Sequence, residues 1–149
     1  MHIVKIENFE RAKPGQSFPW FRHLNPKESE EIREALMGKL SLGADTDGLT
    51  LVQTLLDRSG ALEGYDAGAD KFALLPVFEQ LGLRPKEHVY INWHRFDDID
   101  LISLKDLVSF FDDIWYPAAD DLDIFDPSLN WILSVTHSGQ IRILKLGSG

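Results

Sequence analysis

The C-terminal part of the chain places the strongest constraint on the fold, because it reads as a strand followed by a β-hairpin. Trp131, Leu133 and Val135 alternate with a second set of side chains, which is the period of a strand with two different faces. Ser138-Gly139 then supplies a two-residue connection with glycine where a positive φ is needed. The sequence therefore predicts an antiparallel three-stranded meander with strands at residues 122–125, 131–137 and 140–146.

Two helices are predicted in the first half of the chain. Asn25 is a good N-cap, since Pro26 follows it and Glu28 lies three residues further on, as in a capping box. Apolar residues then recur at helical spacing up to Leu40. A second helix is expected at residues 49–58, with Asp47 as its cap.

The remaining elements have weaker signals. Residues 2–6 alternate as a short strand would, and residues 70–81 are predicted to be helical, with Pro76 either starting a short helix or kinking a longer one. Residues 88–94 read as a strand. Ser103 is expected to cap a helix that ends near Asp113.

Helices in the first half and antiparallel strands in the second half predict the α+β class. We expect N-terminal helices packed on an antiparallel sheet that ends in the C-terminal three-stranded meander. The length of 149 residues favours a single domain over residues 1–146, with residues 147–149 as a native tail or a remnant of cloning.

The charge is concentrated in one segment. The window Asp97–Asp126 holds ten aspartates and a single lysine, Lys105, so it carries the whole net charge of −9. An acidic excess repels nucleic acid and anionic membranes and favours cationic partners or metal ions. The alternative is a solvated acidic face. We therefore expect no nucleic-acid and no membrane partner. The chain also lacks an apolar run long enough for a membrane span, a signal peptide and any cysteine, so a cytoplasmic location is expected.

The sequence gives only weak indications of a catalytic or metal-binding motif. Asp45-Thr46-Asp47-Gly48 resembles the centre of a calcium loop, but the acidic first and twelfth ligands are missing. His88 and His94 would lie roughly 20 Å apart on a strand, too far for one metal, which leaves His94 with a nearby aspartate as a minor acid–base candidate. We expect no cofactor.

Asp121 and Asp123 offer a stronger metal hypothesis. Two residues apart on a strand, they would project from one face, and carboxylate oxygens suit magnesium or calcium. No lysine or glutamate accompanies them at a nuclease spacing, and the acidic surface would repel a polyanionic substrate. A metal-dependent hydrolase therefore stays an alternative, and no metal site is predicted.

Aromatic residues accompany the aspartates of this window. Such rings supply contact area at protein interfaces, and carboxylates pair with lysine and arginine. The other interpretation is that the rings belong to the core and that each aspartate caps or turns the chain. The sequence predicts a binding face for a basic protein that consists of Asp112, Asp113, Trp115, Tyr116, Asp120, Asp121 and Asp123.

The segment FDDIWYPAADDLDIFDPSLNWILSVTHSG resembles the C-terminal part of small acidic bacterial immunity proteins of contact-dependent and polymorphic toxin systems. That resemblance implies a protein without catalysis of its own, which neutralises a cognate toxin domain by covering it. It transfers no site residue, because such interfaces differ from pair to pair. We therefore expect a non-enzymatic immunity protein, with the hydrolase or a structural or regulatory domain as alternatives.

Overall fold

Seven strands form one antiparallel sheet in the computed structural model, which describes residues 1–147. The strands are β1 (Phe21–His23), β2 (Gly60–Leu62), β3 (His88–His94), β4 (Asp98–Ser103), β5 (Leu122–Phe125), β6 (Trp131–Val135) and β7 (Ile141–Lys145). Their order across the sheet is β1-β4-β3-β5-β6-β7-β2. The neighbours β5, β6 and β7 are the predicted C-terminal meander. The predicted α+β class is confirmed.

Helices cover both faces of this sheet. Within residues 1–147 they are α1 (Ile3–Ala12), α2 (Pro26–Lys39), α3 (Gly48–Arg58), α4 (Leu74–Gln80), α5 (Leu104–Ser109) and α6 (Phe111–Ile114). One core cluster joins α2 and α3 to side chains such as Phe125 and Ile132. The other joins α4, α5 and α6 to the opposite face, through residues such as Ile91 and Leu133. None of these helices combines the length and the apolar character that a membrane span requires.

The strongest local predictions are confirmed. Asn25 accepts from the backbone N–H of Glu28, whose side chain in turn accepts from the N–H of Asn25, so the capping box is complete. Asp47 caps α3. Gly139 has φ +90°, and a Cβ at that position would lie 2.2 Å from Asp66 Oδ1. Both the positive φ and the lack of space therefore require glycine in this turn. Pro76 lies in the first turn of α4, so it starts a short helix.

The strand predicted at residues 2–6 is wrong, because these residues begin the helix α1. Nδ1 of His2 accepts from the backbone N–H of Val4 and caps the helix. Lys5 and Phe9 are its buried residues, and their spacing of four places them on one helix face. The weak alternation of a five-residue segment is also compatible with the first turns of such a helix.

The helix predicted from Ser103 to Asp113 is also corrected, because it breaks at Phe110. Ser103 caps α5 as expected, but Phe110 has φ −116° and ψ 24°, and α6 begins after it. The break turns Phe111 into the core. Asp112 and Asp113 therefore lie in the first turn of α6 and not in the last turn of one longer helix. Of the tail considered at residues 147–149, residues 148 and 149 lie outside the described residues.

Candidate partner-binding site

A cleft of about 650 Å³ lies between the start of α1, the ends of β1 and β3, and the loop before β5. Its volume is within the range of roughly 300–1,000 Å³ that is usual for ligand sites. Aromatic and charged side chains line it together. They include Lys5, Phe21, Trp93, Asp98, Asp120 and Asp121.

Lys5 is a buried cation in the wall of this cleft. Its Nζ lies 2.5 Å from Asp120 Oδ2, 3.7 Å from the centre of the Tyr116 ring and 5.1 Å from that of Trp93. Burial lowers the pKa of Lys5, although the hydrogen bond and the charge of Asp120 act in the opposite direction. Carboxylate and rings together therefore replace the water that a lysine normally keeps.

Asp100 is the buried carboxylate beside the cleft. Trp93 Nε1 donates to its Oδ2 at 2.9 Å, and His23 Nδ1 lies 2.9 Å from its Oδ1. The terminal amino group of Met1 also contacts this carboxylate. These contacts fix the indole of Trp93 as a wall of the cleft.

Three exposed carboxylates lie at one end of the sheet, which we call the acidic end: Asp97, Asp98 and Asp121. Their side chains are 54%, 45% and 70% exposed. Among residues 1–147 their ion-pairing side chains are histidines, with His94 at 3.2 Å from Asp97 and His137 at 3.0 Å from Asp121. Among residues 1–147 no lysine or arginine forms a salt bridge with these three carboxylates, although Arg33 and Arg95 line a cavity together with Asp97.

Asp123 belongs to a polar network across the middle of the sheet. Asn92 Nδ2 donates to its Oδ2 at 2.9 Å, and Ser134 Oγ donates to its Oδ1 at 2.6 Å. Burial raises the pKa of Asp123, and the two hydrogen bonds counteract only part of that effect. The network links β3, β5 and β6, which are neighbours in the sheet.

The structure does not bring the predicted binding residues onto one open face. Trp115 is 2% exposed, stacks on Phe111 and donates its Nε1–H to the carbonyl of Asp120, so it is a core residue and not an exposed anchor. Asp113 pairs with Lys13 at 3.1 Å. Of the predicted set, Asp112 and Asp121 are exposed, whereas Asp113, Tyr116, Asp120 and Asp123 are partly buried. The role of these residues in partner binding stays a prediction.

The metal hypothesis gains no support from the geometry. Asp121 faces His137 at the surface, whereas Asp123 is engaged inside the sheet by Asn92 and Ser134. Within the described part of the chain, no three histidine, aspartate or glutamate side chains lie close enough together to hold a metal ion.

Comparison of the chain with protein-family models, curated proteins and solved structures finds no match. The geometry of the cleft and of the acidic end therefore carries the functional conclusion.

Two residues of the site, Lys5 and Asp98, are not predicted from the sequence. Lys5 is not among the predicted site residues because the alternation of residues 2–6 predicts a strand; the available signal is its position four residues before Phe9, on one face of a helix. Asp98 was missed as a site residue because β4 was not predicted. The pairing of β4 with β1 and β3 brings Asp98 to the cleft and Asp97 beside His94.

Proposed function

We propose that the chain is a non-enzymatic binding module for a basic protein, with the role of an immunity protein that covers a bacterial toxin domain. The observation that supports this most is the acidic end. Among the described residues, the three exposed carboxylates of this end form ion pairs with histidines and not with lysine or arginine, in a chain of net charge −9. Such a surface attracts a cationic partner over several ångströms and rejects polyanions.

The cleft adjoins this surface and supports the same proposal. Asp98 and Asp121 lie at its edge, and Phe21 and Trp93 contribute aromatic walls. A lysine or arginine side chain of a partner can place its charge near the carboxylates and its carbon chain against the rings. The resemblance to immunity proteins gives this binding its biological role. A cytoplasmic location belongs to the proposal as well, because a chain without cysteine suits a reducing compartment.

The experiment uses as the partner the protein encoded directly upstream of the gene, which the proposal expects to carry a toxin domain. Stopped-flow association is measured for the wild type and for Asp97→Asn/Asp98→Asn/Asp121→Asn. At low salt the triple variant should associate about tenfold more slowly, because it loses three steering charges. The difference should shrink at physiological salt, where the screening length is about 8 Å.

A matched control removes three exposed acids elsewhere, in Glu30→Gln/Glu34→Gln/Glu79→Gln. This variant has the same net charge as the first one, so it should associate nearly as fast as the wild type. Equal slowing by both variants would show that only the total charge matters, not the acidic end. Absence of binding and of growth rescue with that toxin domain would contradict the immunity role itself.

A further inference from the structure

Helix α1 lies on several of the residues that the sequence assigns to the binding face. Lys5 pairs with Asp120, and its Nζ lies over the ring of Tyr116. Eight residues later, Lys13 pairs with Asp113, and its Nζ lies 5.5 Å from the ring centre of Phe110. The helix thus places two cations on an acidic and aromatic surface, which we call the α1 groove: Phe110, Asp113, Tyr116 and Asp120.

The residues of α1 that lie between Lys5 and Lys13 also contact aromatic side chains. Asn8 Nδ2 donates to the hydroxyl of Tyr116 at 3.2 Å. The ring of Phe9 packs edge-on against those of Phe18 and Phe110, at 5.5 and 5.7 Å. The side chains at positions 5, 8, 9 and 13 therefore point to one side of the helix. This is the spacing by which amphipathic helices are recognised in grooves.

Helix α1 is attached to the rest of the chain through side chains and through the terminal amino group of Met1, which contacts the buried carboxylate of Asp100. In the described residues, the backbone bonds of α1 run within the helix or to its immediate flanks, from His2 to Gln16. The segment from Lys13 to Trp20 that joins it to β1 has neither helix nor strand. On the outer side, Ile3 and Val4 are 63% and 43% exposed. In the described residues, separation of α1 would break these side-chain contacts and the Met1–Asp100 ion pair, but no backbone hydrogen bond of the sheet.

We infer that the α1 groove is a docking site for a basic amphipathic helix and that α1 is its occupant in the free protein. The inference rests on the proposed function, since the partner's helix would be part of the basic protein described above. That helix replaces α1 and supplies a cation to Asp120, an aromatic ring between Phe18 and Phe110, and a second cation to Asp113. The acidic end adjoins the groove at the cleft, so it attracts the partner before α1 leaves.

The first test uses a fluorescent peptide of residues 1–16 as the probe, without any toxin. In the wild type the attached α1 competes at a high effective concentration, so the peptide should bind weakly. In the full chain with Lys5→Met/Lys13→Met the attached helix lacks both cations, and fluorescence anisotropy should give a Kd at least tenfold lower. Addition of Asp113→Asn/Asp120→Asn to that variant should weaken binding again. The control Lys27→Met/Lys105→Met removes two exposed lysines and should bind the peptide as the wild type does.

The second test is hydrogen exchange. In Asp113→Asn/Asp120→Asn the α1 amides should exchange at least tenfold faster, whereas those of β3 and β5 stay unchanged. Equal peptide affinity for all the proteins, or α1 amides that exchange only together with the sheet, would overturn the inference. If Lys5→Met/Lys13→Met does not fold, the inference is tested by comparing hydrogen exchange of the α1 amides in the wild type and in Asp113→Asn. Peptide binding without toxin binding would support the α1 groove as a docking site and contradict the immunity role. Toxin binding that leaves the exchange of the α1 amides unchanged would support the immunity role and contradict the docking site.

Discussion

The substitution Trp131→Ala tests whether the C-terminal meander forms the centre of the core. Trp131 is 5% exposed, and its ring packs against Phe78 of α4 at a centroid distance of 5.7 Å. It lies on the face of β6 that also carries Leu133 and Val135, both fully buried. The loss of a buried tryptophan side chain costs about 3–5 kcal/mol, which is a large part of the roughly 5–15 kcal/mol that stabilises a typical domain.

Equilibrium urea unfolding measures this cost, with Trp20→Ala as the matched control. Trp20 is 59% exposed, and its ring meets that of His88 edge-on at 6.4 Å. Its removal should change the free energy of unfolding by about 0.5 kcal/mol or less. At 2–4 °C per kcal/mol, the Trp131 variant should melt roughly 6–20 °C lower than the wild type. A Trp131 variant as stable as the control would refute the placement of β6 and α4 against each other.

Two further substitutions address the local signals that shape the fold. Gly139→Ala should lower the free energy of unfolding by more than about 1 kcal/mol in urea unfolding, because φ is +90° and a Cβ would collide with Asp66; an unchanged midpoint would contradict this. Asn25→Ala removes one half of the capping box of α2 and should cost about 1 kcal/mol, whereas Asn25→Asp should restore most of it. Thermal unfolding of the three proteins checks that order.

Much of the fold was predictable because its signals are local. The capping box at Asn25, the cap at Asp47 and the glycine of the Ser138-Gly139 turn each depend on a few neighbouring residues. Strand β3 was predicted at its observed bounds because Val89, Ile91 and Trp93 alternate with polar positions. Periodicity predicts which type of element forms, and capping residues predict where a helix begins, because both signals lie within a short segment.

The missed elements depend on distant partners. Strands β1 and β2 have three residues each and form the two edges of the sheet, so they exist through their pairing with β4 and β7. Strand β4 carries Asp98 and Asp100, which are unusual in a strand, and Asp100 is tolerated because Trp93 and His23 satisfy its carboxylate. A local sequence pattern does not show that hydrogen bonds from other strands stabilise a buried aspartate.

The same reasoning explains why the acidic and aromatic composition of the segment Asp97–Asp126 was predictable, whereas the placement of its side chains was not. The sequence identifies an acidic segment rich in aromatic rings, but it does not state which acids the chain neutralises itself. Asp113 and Asp120 lie 100 and 115 residues from Lys13 and Lys5, their partners on α1. Asp126 lies in the loop after β5, where it accepts from the backbone N–H of Ser128. Among the described residues of this segment, the aspartates without a lysine or arginine partner include Asp97, Asp98, Asp112 and Asp121.

The pH dependence of stability should identify Asp123 as a carboxyl group that is buried at a cost. Its pKa in the folded protein lies above the ordinary value of 3.8, since burial disfavours the charged form. Between these two pKa values the unfolded chain ionises Asp123 and the folded chain does not. The stability contributed by this group is therefore complete below pH 3.8 and is lost as pH rises through the folded pKa, by at most about 1.4 kcal/mol per pH unit.

Asp123→Asn cannot titrate at this position, so the comparison of the two proteins isolates the effect. Urea unfolding between pH 4 and pH 7 should show the wild type losing stability relative to Asp123→Asn as pH rises. Ser134→Ala removes a hydrogen bond to the carboxylate that lowers its pKa, so this variant should lose even more over the same range. A wild type that gains stability relative to Asp123→Asn with rising pH would mean that Asn92 and Ser134 stabilise the charged form by more than burial costs it. In that case Asp123 would be a structural anion at the centre of the sheet.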